Sequence, residues 1–339
     1  MYSPEEMKLA LGVFSLFSRF ISRIKNFLYD RGIVKARRAP LPVISVGNIS
    51  LGGTEKTPLA MELLGRLLAL GYRPALISRG YKGRWEKSGG VLSDGRAILG
   101  TWQDGGDEPY LIARTFPTAG VYVGKDRLNS CQKAAAAGFD VAVLDDGFQH
   151  RSLARDCDVV LYSSKEKVAL REPLSALRRS DILLVKADEG GNRAIGRLSG
   201  RFLGGLYTYS VVTQGVSDLR TGQRVPVERL GKMRLLAFCG IARPQRFEEK
   251  LREAGLGIVS FLSFPDHHAY PPASREKIIL AGRSRGADAL ITTGKDAVKL
   301  VDRVEEWDDT PVYVLEIGLT VGPGFDERWR TFLGERQTV

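Results

Sequence analysis

The sequence predicts an α/β fold in which a parallel β-sheet carries helices on both faces. From residue 42 onwards, short apolar runs alternate with stretches of helical periodicity. Parallel strands need a crossover connection, usually a helix, so this alternation is typical of a parallel sheet. The chain has 339 residues, 43% of them hydrophobic, which is enough apolar material for more than one domain.

The first part of the chain provides most of this alternation. An apolar strand over 42–47 is followed by a glycine-rich loop and a helix over 58–71. Strands are then predicted at 73–80, 120–124, 139–146, 157–163 and 181–188, and helices at 109–116 and 127–138. We assign residues 31–210 to one domain of this type.

The character of the sequence changes around residues 206–234. The segments 206–212 and 217–225 predict a two-stranded ribbon, and a second alternation of strands and helices follows it. We therefore predict a β-ribbon linker over 211–230 and a smaller α/β domain over 231–339 that closes a cleft against the first domain.

An amphipathic helix is predicted over 8–29, within an N-terminal segment assigned as 1–30. Its apolar side chains fall within an arc of about 160° on a helical wheel, with Ser22 and Asn26 on the opposite side. Such a helix either packs on its own domain or lies in a membrane interface, where Arg23 and Lys25 would extend towards lipid headgroups. No uncharged apolar run reaches the length of about 18 residues that a membrane-spanning helix needs.

Charge and cysteine content narrow the choice of partners. Lys and Arg number 50 against 39 Asp and Glu, giving a net charge of +11. This excess favours an anionic partner: a phosphorylated substrate, an acidic membrane surface or nucleic acid. No nucleic-acid-binding module accompanies the charge. The three cysteines form no CxxC pair, which argues against a zinc site or a disulfide framework.

The segment GNISLGGTEKTP, residues 47–58, is typical of a phosphate-binding loop. It lies between a strand and a helix, so backbone N–H groups and the helix N-terminus would bind an anion there. In the Walker pattern the lysine reaches the β- and γ-phosphates and the following hydroxyl lies on Mg²⁺, but Ser50 and Glu55 stand where that pattern has its two glycines. The alternative is an ordinary glycine-rich turn. The predicted nucleotide-binding residues are Gly52, Gly53, Thr54, Glu55, Lys56 and Thr57.

Three acidic motifs lie on predicted loops. DVAVLDDGFQH (140–150) ends an apolar strand with Asp145 and Asp146, which either hold Mg²⁺ or form an Asp-Gly turn. Asp107, in GGDEPYL, either caps a helix or acts as a base towards an attacking hydroxyl. FPDHHAY (264–270) carries His267 beside a second histidine, either as a solvated turn or as a contribution across the cleft.

Taken in order, the motifs closely resemble those of the tetraacyldisaccharide 4'-kinases, the lipid A 4'-kinases of Gram-negative bacteria. The resemblance extends over nearly the whole chain. It rests on VISVGNISLGGTEKTP, LISRGYKG, GDEPYLIA, VGKDR, LDDGFQHRSLARDCDVVL, LREPLSALRRSD, FCGIARPQRF, FPDHHAY and TTGKDAVKL. It implies a P-loop NTPase-like kinase domain that moves the γ-phosphate of ATP to the 4'-hydroxyl of a tetraacyldisaccharide 1-phosphate in lipid A (lipopolysaccharide) biosynthesis.

The resemblance also implies roles for individual residues, by motif match. The ATP phosphates and Mg²⁺ would be bound by Lys56 and Thr57, the metal also by Asp145 and Asp146, and catalysis would fall to Asp107 with His267 and Lys56. Contacts with the substrate phosphate or a lipid headgroup would come from Arg79, Arg171 and His150.

The family is a peripheral membrane protein anchored through its N-terminal helix. The resemblance therefore implies a place on the cytoplasmic face of the bacterial inner membrane. Its implied partners are the lipid A disaccharide 1-phosphate precursor and the anionic membrane surface, with no nucleic acid and no obligate protein partner. The chain departs from the family at Glu55, and in SSKEKVALREP, which lacks a PAGP-like segment before LREP.

Two alternatives stay open. One is a pseudokinase, a membrane-associated nucleotide- or lipid-binding protein that has lost turnover through Glu55. The other is a P-loop GTPase, since DILLVKAD (181–188) is similar to a guanine-reading strand, although Val185 replaces its asparagine. A carboxylate that pointed at the phosphates would repel them. We favour an outward-pointing Glu55 and an active kinase.

Overall fold

The structure is a computed structural model, and it describes most of the chain. The described residues are 21–50, 55–163, 170–187, 191–198, 202, 204–307 and 310–334. The first part of the predicted N-terminal helix and the loop residues Gly52, Gly53 and Thr54 lie outside these ranges.

Thirteen strands of the described residues form one continuous sheet. They are β1 (Val43–Asn48), β2 (Pro74–Ser78), β3 (Gly90–Asp94), β4 (Gly120–Val123), β5 (Val141–Leu144), β6 (Cys157–Tyr162), β7 (Ile182–Lys186), β8 (Gly205–Asp218), β9 (Arg224–Val225), β10 (Leu235–Cys239), β11 (Ile258–Ser263), β12 (Ala289–Thr293) and β13 (Val312–Val321). Their order is β11-β10-β12-β13-β8-β7-β6-β1-β5-β2-β4-β3, and β9 pairs with β8.

The helices connect and cover these strands. They are α1 (21–30), α2 (Lys56–Ala69), α3 (Trp85–Ser88), α4 (Trp102–Gly105), α5 (Asp107–Thr115), α6 (Arg127–Ala136), α7 (Gly191–Leu198), α8 (Val227–Leu230), α9 (Pro244–Glu253), α10 (Pro272–Ser284), α11 (Gly294–Ala297) and α12 (Phe325–Gly334). Among the described residues, 3₁₀ helices lie at Leu174–Arg179 and Val301–Trp307.

β1 lies at the centre of the first part of the sheet, parallel to β5 on one side and β6 on the other. All its residues are buried, as expected for a parallel strand covered on both faces. Parallel pairing also joins β2 to β4 and β5, β6 to β7, and β10 to β11 and β12. The predicted α/β fold with a largely parallel sheet is confirmed.

The segments predicted as a local ribbon pair differently. Residues 206–212 lie on β8, a single strand of 14 residues, and β8 pairs with the short β9 at only Val216↔Val225 and Ser217↔Arg224. Its main partner is β13, antiparallel from Tyr313↔Asp218 to Val321↔Tyr209. The pattern of β8 shows a strand, but it carries no signal for a partner almost a hundred residues later. The antiparallel edge strand β3 was not predicted.

The C-terminal helix returns to the first core. Phe325, Trp329 and Leu333 of α12 belong to the same apolar cluster as Leu59 and Leu63 of α2. An ion pair between Arg66 and Asp326 lies beside this contact. The division into 1–30, 31–210, 211–230 and 231–339 stays a prediction, and the continuous sheet together with α12 joins its parts.

α1 packs on the rest of the protein through its polar side. Asn26 Nδ2 donates to Glu172 Oε2 at 2.6 Å, Lys25 Nζ to the carbonyl oxygen of Gln149 at 2.9 Å, and Ser22 Oγ to that of Arg171 at 3.2 Å. The apolar residues Ile21, Ile24 and Phe27 are each about half exposed. This is opposite to a helix that packs its apolar face inwards. No helix of the described residues has the length and hydropathy needed to cross a bilayer.

Candidate active site

The phosphate-loop helix brings Lys56 to one of the predicted metal carboxylates. α2 begins at Lys56, whose Nζ donates to Asp146 Oδ1 at 2.7 Å. Arg171 Nη1 donates to Asp146 Oδ2 at 3.0 Å. Thr57 follows in the first turn of α2. Three positions far apart in sequence thus meet where β1 and β5 end, the edge of a parallel sheet at which ligands bind.

Asp145 and Asp146 directly follow β5 but have opposite electrostatic environments. Asp145 accepts a hydrogen bond from Ser78 Oγ at 3.2 Å. Burial, followed by the charges of Asp146 and Glu108, raises the pKa of Asp145 to about 6. Burial also disfavours the charge of Asp146, but the cations of Lys56 and Arg171 outweigh it and hold the pKa of Asp146 far below its usual range.

These carboxylates fit a magnesium ion that is shared with phosphates. Mg²⁺ takes oxygen ligands and is usually held by one or two carboxylates plus substrate phosphates. Within the described ranges no group of three or more His, Cys, Asp or Glu side chains could hold a metal alone, so a closed protein cage is not present there. The chain would contribute Asp145, Asp146 and the hydroxyl of Thr57.

The second acidic position, Asp107, is the first residue of α5 and is buried. Its Oδ2 lies 3.0 Å from His267 Nδ1 and 2.9 Å from Lys299 Nζ. Burial would raise the pKa of this carboxyl, but the hydrogen bond from His267 and the charge of Lys299 outweigh it, so the pKa of Asp107 lies below its ordinary value. The carboxylate is therefore ionised at neutral pH.

The two adjacent histidines face different partners. His267 has a left-handed backbone, with φ of 66°, and its N–H donates to the carbonyl oxygen of Gly240 at 3.1 Å, which turns the ring towards Asp107. His268 instead lies 2.8 Å from Ser274 Oγ through Nε2 and stacks on Phe264. Geometry thus selects His267 of the pair as the one that contacts Asp107.

Sequence reasoning missed the cations around Asp107. Lys299 is fully buried between Asp107 and Asp296, whose Oδ1 lies 3.4 Å from Lys299 Nζ. Lys295 Nζ lies 2.6 Å from Glu108 Oε1. Lys295, Asp296 and Lys299 all belong to TTGKDAVKL. Lys299 follows the other two by four and three residues, a spacing that places helical side chains on one side, and this was the available signal.

The three residues predicted to contact substrate separate in the structure. Arg171 lies in the site on Asp146. Arg79 Nε donates to Glu86 Oε1 at 2.8 Å and is half exposed. His150 lies 3.1 Å from Ser152 Oγ. Burial, with the nearby charges of Arg127, Lys25 and Arg155, lowers the pKa of His150 to about 4, so its ring is neutral at pH 7.

Glu55 precedes α2 with a left-handed backbone, φ 56° and ψ 24°. Its side chain is nearly buried, and Oε1 accepts from Lys186 Nζ at 2.7 Å and Arg246 Nη1 at 2.5 Å. Tyr209 Oη lies 3.3 Å from Oε2. The carboxylate thus faces β7, β8 and α9, whereas the neighbouring Lys56 faces the end of β5.

Comparison with known proteins places these features in a family. The family model of the tetraacyldisaccharide-1-P 4'-kinases (LpxK) matches residues 7–334. The chain belongs to this family. The predicted resemblance is therefore confirmed.

Curated members and a solved structure agree with this assignment. The tetraacyldisaccharide 4'-kinase of Syntrophus aciditrophicus is 40% identical over 315 residues, covering 86% of this chain and 84% of the relative. That of Desulfotalea psychrophila is 38% identical over 325 residues, covering 91% of each. A crystal structure of LpxK from Aquifex aeolicus in complex with ATP superposes with a TM-score of 0.76 at 28% identity, covering 97% of this chain and 99% of that chain.

Membership of the tetraacyldisaccharide 4'-kinase family confirms the P-loop NTPase-like fold class. It gives no support to the GTPase alternative. Val185, which stands at the position of the guanine-reading asparagine, is fully buried within β7. A side chain there packs in the core of the sheet and contacts other apolar residues instead of a base.

Proposed function

We propose that the protein is an ATP-dependent kinase that phosphorylates the 4'-hydroxyl of tetraacyldisaccharide 1-phosphate in lipid A biosynthesis. The observation that carries this is the buried Asp107 carboxyl group, which contacts His267 and Lys299 at the same sheet edge as the Lys56–Asp146 pair. α5 precedes the parallel strand β4, so its N-terminus lies at the carboxyl edge, and the charge of Glu108 is felt by Asp145. The names of the curated relatives support the same reaction.

The residues divide the reaction between them. The 4'-hydroxyl gives its proton to Asp107 as its oxygen bonds to the γ-phosphorus, and the bond from that phosphorus to the β–γ bridging oxygen breaks, releasing ADP. His267 and Lys299 orient Asp107 and keep it ionised before transfer. Lys56, at the N-terminus of α2, binds the β- and γ-phosphates. Mg²⁺ held by Thr57, Asp145 and Asp146 would neutralise phosphate charge.

The acceptor is a lipid, and α1 provides a surface for it. Its exposed Ile21, Ile24 and Phe27 form an apolar side, while its polar side is fixed to the protein. The basic excess of the chain suits an anionic bilayer surface. We infer a peripheral position on the cytoplasmic face of the inner membrane, where the disaccharide 1-phosphate would be reached without leaving the bilayer.

A direct assay tests this function. Purified protein, ATP with Mg²⁺ and the disaccharide 1-phosphate in detergent micelles should yield the bis-phosphorylated lipid, detected by mass. Asp107→Ala should lower kcat by about a thousandfold, because a general base contributes about 10²–10⁴-fold. Asp302→Ala, a change at an exposed carboxylate, is the matched control and should keep full activity.

Wild-type turnover no greater than that of Asp107→Ala would contradict the proposal. Such a protein that still bound ATP would instead fit the pseudokinase alternative, in which Glu55 has removed turnover but not binding.

A further inference from the structure

Glu55 occupies a position where the phosphate-loop pattern has glycine, and the proposed reaction assigns it no role. We propose that Glu55 is a positioning residue: its contacts with Lys186, Arg246 and Tyr209 tie the N-terminus of α2 to β7, β8 and α9 and so hold Lys56 at the phosphate site. The kinetic part of its test rests on the proposed function, whereas the ATP-binding part does not.

The backbone shows that Glu55 is held in place by its surroundings. With φ of 56° it is in the left-handed region, which a residue with a Cβ adopts only at a cost. Such a conformation persists where the surrounding structure over-determines it, and it is frequent at functional sites. Asp146, which contacts Lys56, and His267, which contacts Asp107, also have positive φ.

The side-chain contacts supply that determination. The carboxylate is only 9% exposed and accepts from donors on three separate elements. Arg246 is 191 residues away in sequence, on α9, which packs on β10 and β11 through Phe247 and Leu251. A nearly buried carboxylate with two cationic partners is costly to disconnect, because removing one partner leaves an uncompensated charge.

The directions of the two neighbouring side chains explain how Lys56 is positioned. In the sheet order β8-β7-β6-β1-β5, Glu55 reaches β7 and β8 on one side of β1, whereas Lys56 reaches Asp146 after β5 on the other. Contacts on opposite sides fix the rotation of the helix N-terminus about its axis. The positive charges of Lys186 and Arg246 also neutralise the carboxylate of Glu55, so that Glu55 does not repel phosphates from the loop.

Two substitutions test the positioning role, each with a matched control. Glu55→Gln keeps the size and removes the charge, and Arg246→Met removes a partner. Glu62→Gln on the same helix and Arg252→Met on α9 break ion pairs that lie elsewhere, with Arg66 and Glu248. The measurements are ATP affinity by calorimetry with Mg²⁺, kcat and KM for each substrate, and circular dichroism to confirm folding.

The expected result is specific to ATP. Glu55→Gln and Arg246→Met should each weaken ATP binding and lower kcat/KM for ATP by about tenfold or more, since small displacements of a positioned group are costly. KM for the lipid should stay unchanged, the two controls should behave as wild type, and Arg246→Lys should recover most of the loss. The double variant should be no worse than Glu55→Gln alone, because Arg246 acts on Lys56 through its contact with Glu55.

Three outcomes would overturn the proposal. Tighter ATP binding by Glu55→Gln or Glu55→Gly would mean that the native carboxylate obstructs the site. Additive effects in the double variant would mean that the two residues act separately. A lower melting temperature with unchanged ATP affinity would leave Glu55 as a structural brace only. Wild-type protein that binds ATP without phosphorylating the lipid would contradict the proposed function alone, and the affinity comparison would still decide the role of Glu55.

Discussion

Lys299 is a fully buried charge that contacts the proposed base. Its ammonium lies between the carboxylates of Asp107 and Asp296 with no exposed side-chain surface. A buried cation is tolerated when it is paired, and its charge then stabilises the ionised form of its partner. Lys299 therefore connects the segment after α11 to the chemistry at Asp107.

Lys299→Met should move the acid limb of the activity profile. Without this cation, the pKa of the Asp107 carboxyl rises, so the base is protonated at a higher pH and kcat falls earlier as pH decreases. In a profile of kcat measured between pH 5 and 9, the acid limb of the variant should lie at higher pH than that of the wild type. At the acid end, the variant should lose several-fold more of its kcat than the wild type does. Lys232→Met, at an exposed lysine, is the control.

The stability of the folded protein should also depend on pH through Asp107, and it should fall with decreasing pH, as kcat does. The pKa of Asp107 is lower in the folded state than in the unfolded chain, so its ionisation stabilises the fold above the unfolded pKa. That contribution is lost as pH falls through the folded pKa, and Lys299→Met should reduce it.

In the kinetic experiment, a uniform fall in kcat at every pH, with the acid limb in place, would show that Lys299 is only structural.

At the residue scale, the sequence predicted the side chains at the carboxyl edge of the sheet. It missed the cations that contact them from the later half of the chain. Lys56 and Asp107 begin α2 and α5, and Asp145 directly follows β5. Parallel topology brings these three positions to one edge of the sheet. The partners Lys299 and Arg246 come from the later half of the chain, at separations of about two hundred residues from the groups they contact. Such pairing depends on tertiary packing, which no local pattern contains.

At the scale of elements, the orientation of α1 leaves its apolar side available for contact with a membrane. Its polar side bonds to Glu172 and Gln149, so substitutions on the exposed apolar side should leave the fold intact. Ile24→Asp with Phe27→Asp should reduce binding to anionic vesicles several-fold or more, because each removes apolar area from the interface and adds a negative charge, at a cost of about 1–3 kcal/mol.

A vesicle sedimentation assay measures this, with melting temperature as the check on folding. Leu280→Asp is the matched control, since Leu280 is similarly exposed but lies on α10. Equal vesicle binding by the α1 double variant and wild type would contradict the membrane role of α1. A lower melting temperature for the double variant would contradict the packing described for the helix.

The predicted elements agree best with the structure where the hydrophobic pattern of the sequence matches the burial of the element. β1 and β5 are buried along their whole length, and both are found where the sequence predicts them. β8 is different, because its aromatic and β-branched residues are typical of a strand but do not identify its partner. Its pairing with β13 is set by the fold as a whole, and so the sequence suggested a local ribbon.

At the scale of the whole molecule, several polar contacts join the first half of the chain to the second. They are Glu55–Arg246, Asp107–His267, Asp107–Lys299 and Glu108–Lys295. These four involve residues at or beside the proposed site, and the Arg66–Asp326 ion pair joins the same parts elsewhere. The β8–β13 pair and α12 add backbone and apolar contacts between the same parts. The site is therefore built jointly by both halves, which favours unfolding as one unit.

Two buried tryptophans test whether the halves unfold together. Trp329 packs in the core around α2, and Trp307 packs in the other half against Phe238. Each Trp→Ala change should cost about 3–5 kcal/mol. Because one sheet and α12 connect the halves, calorimetry should show one transition that both variants shift to lower temperature. Two independent domains would give two transitions, with Trp329→Ala moving one and Trp307→Ala the other, and that result would support the predicted division at the 211–230 linker.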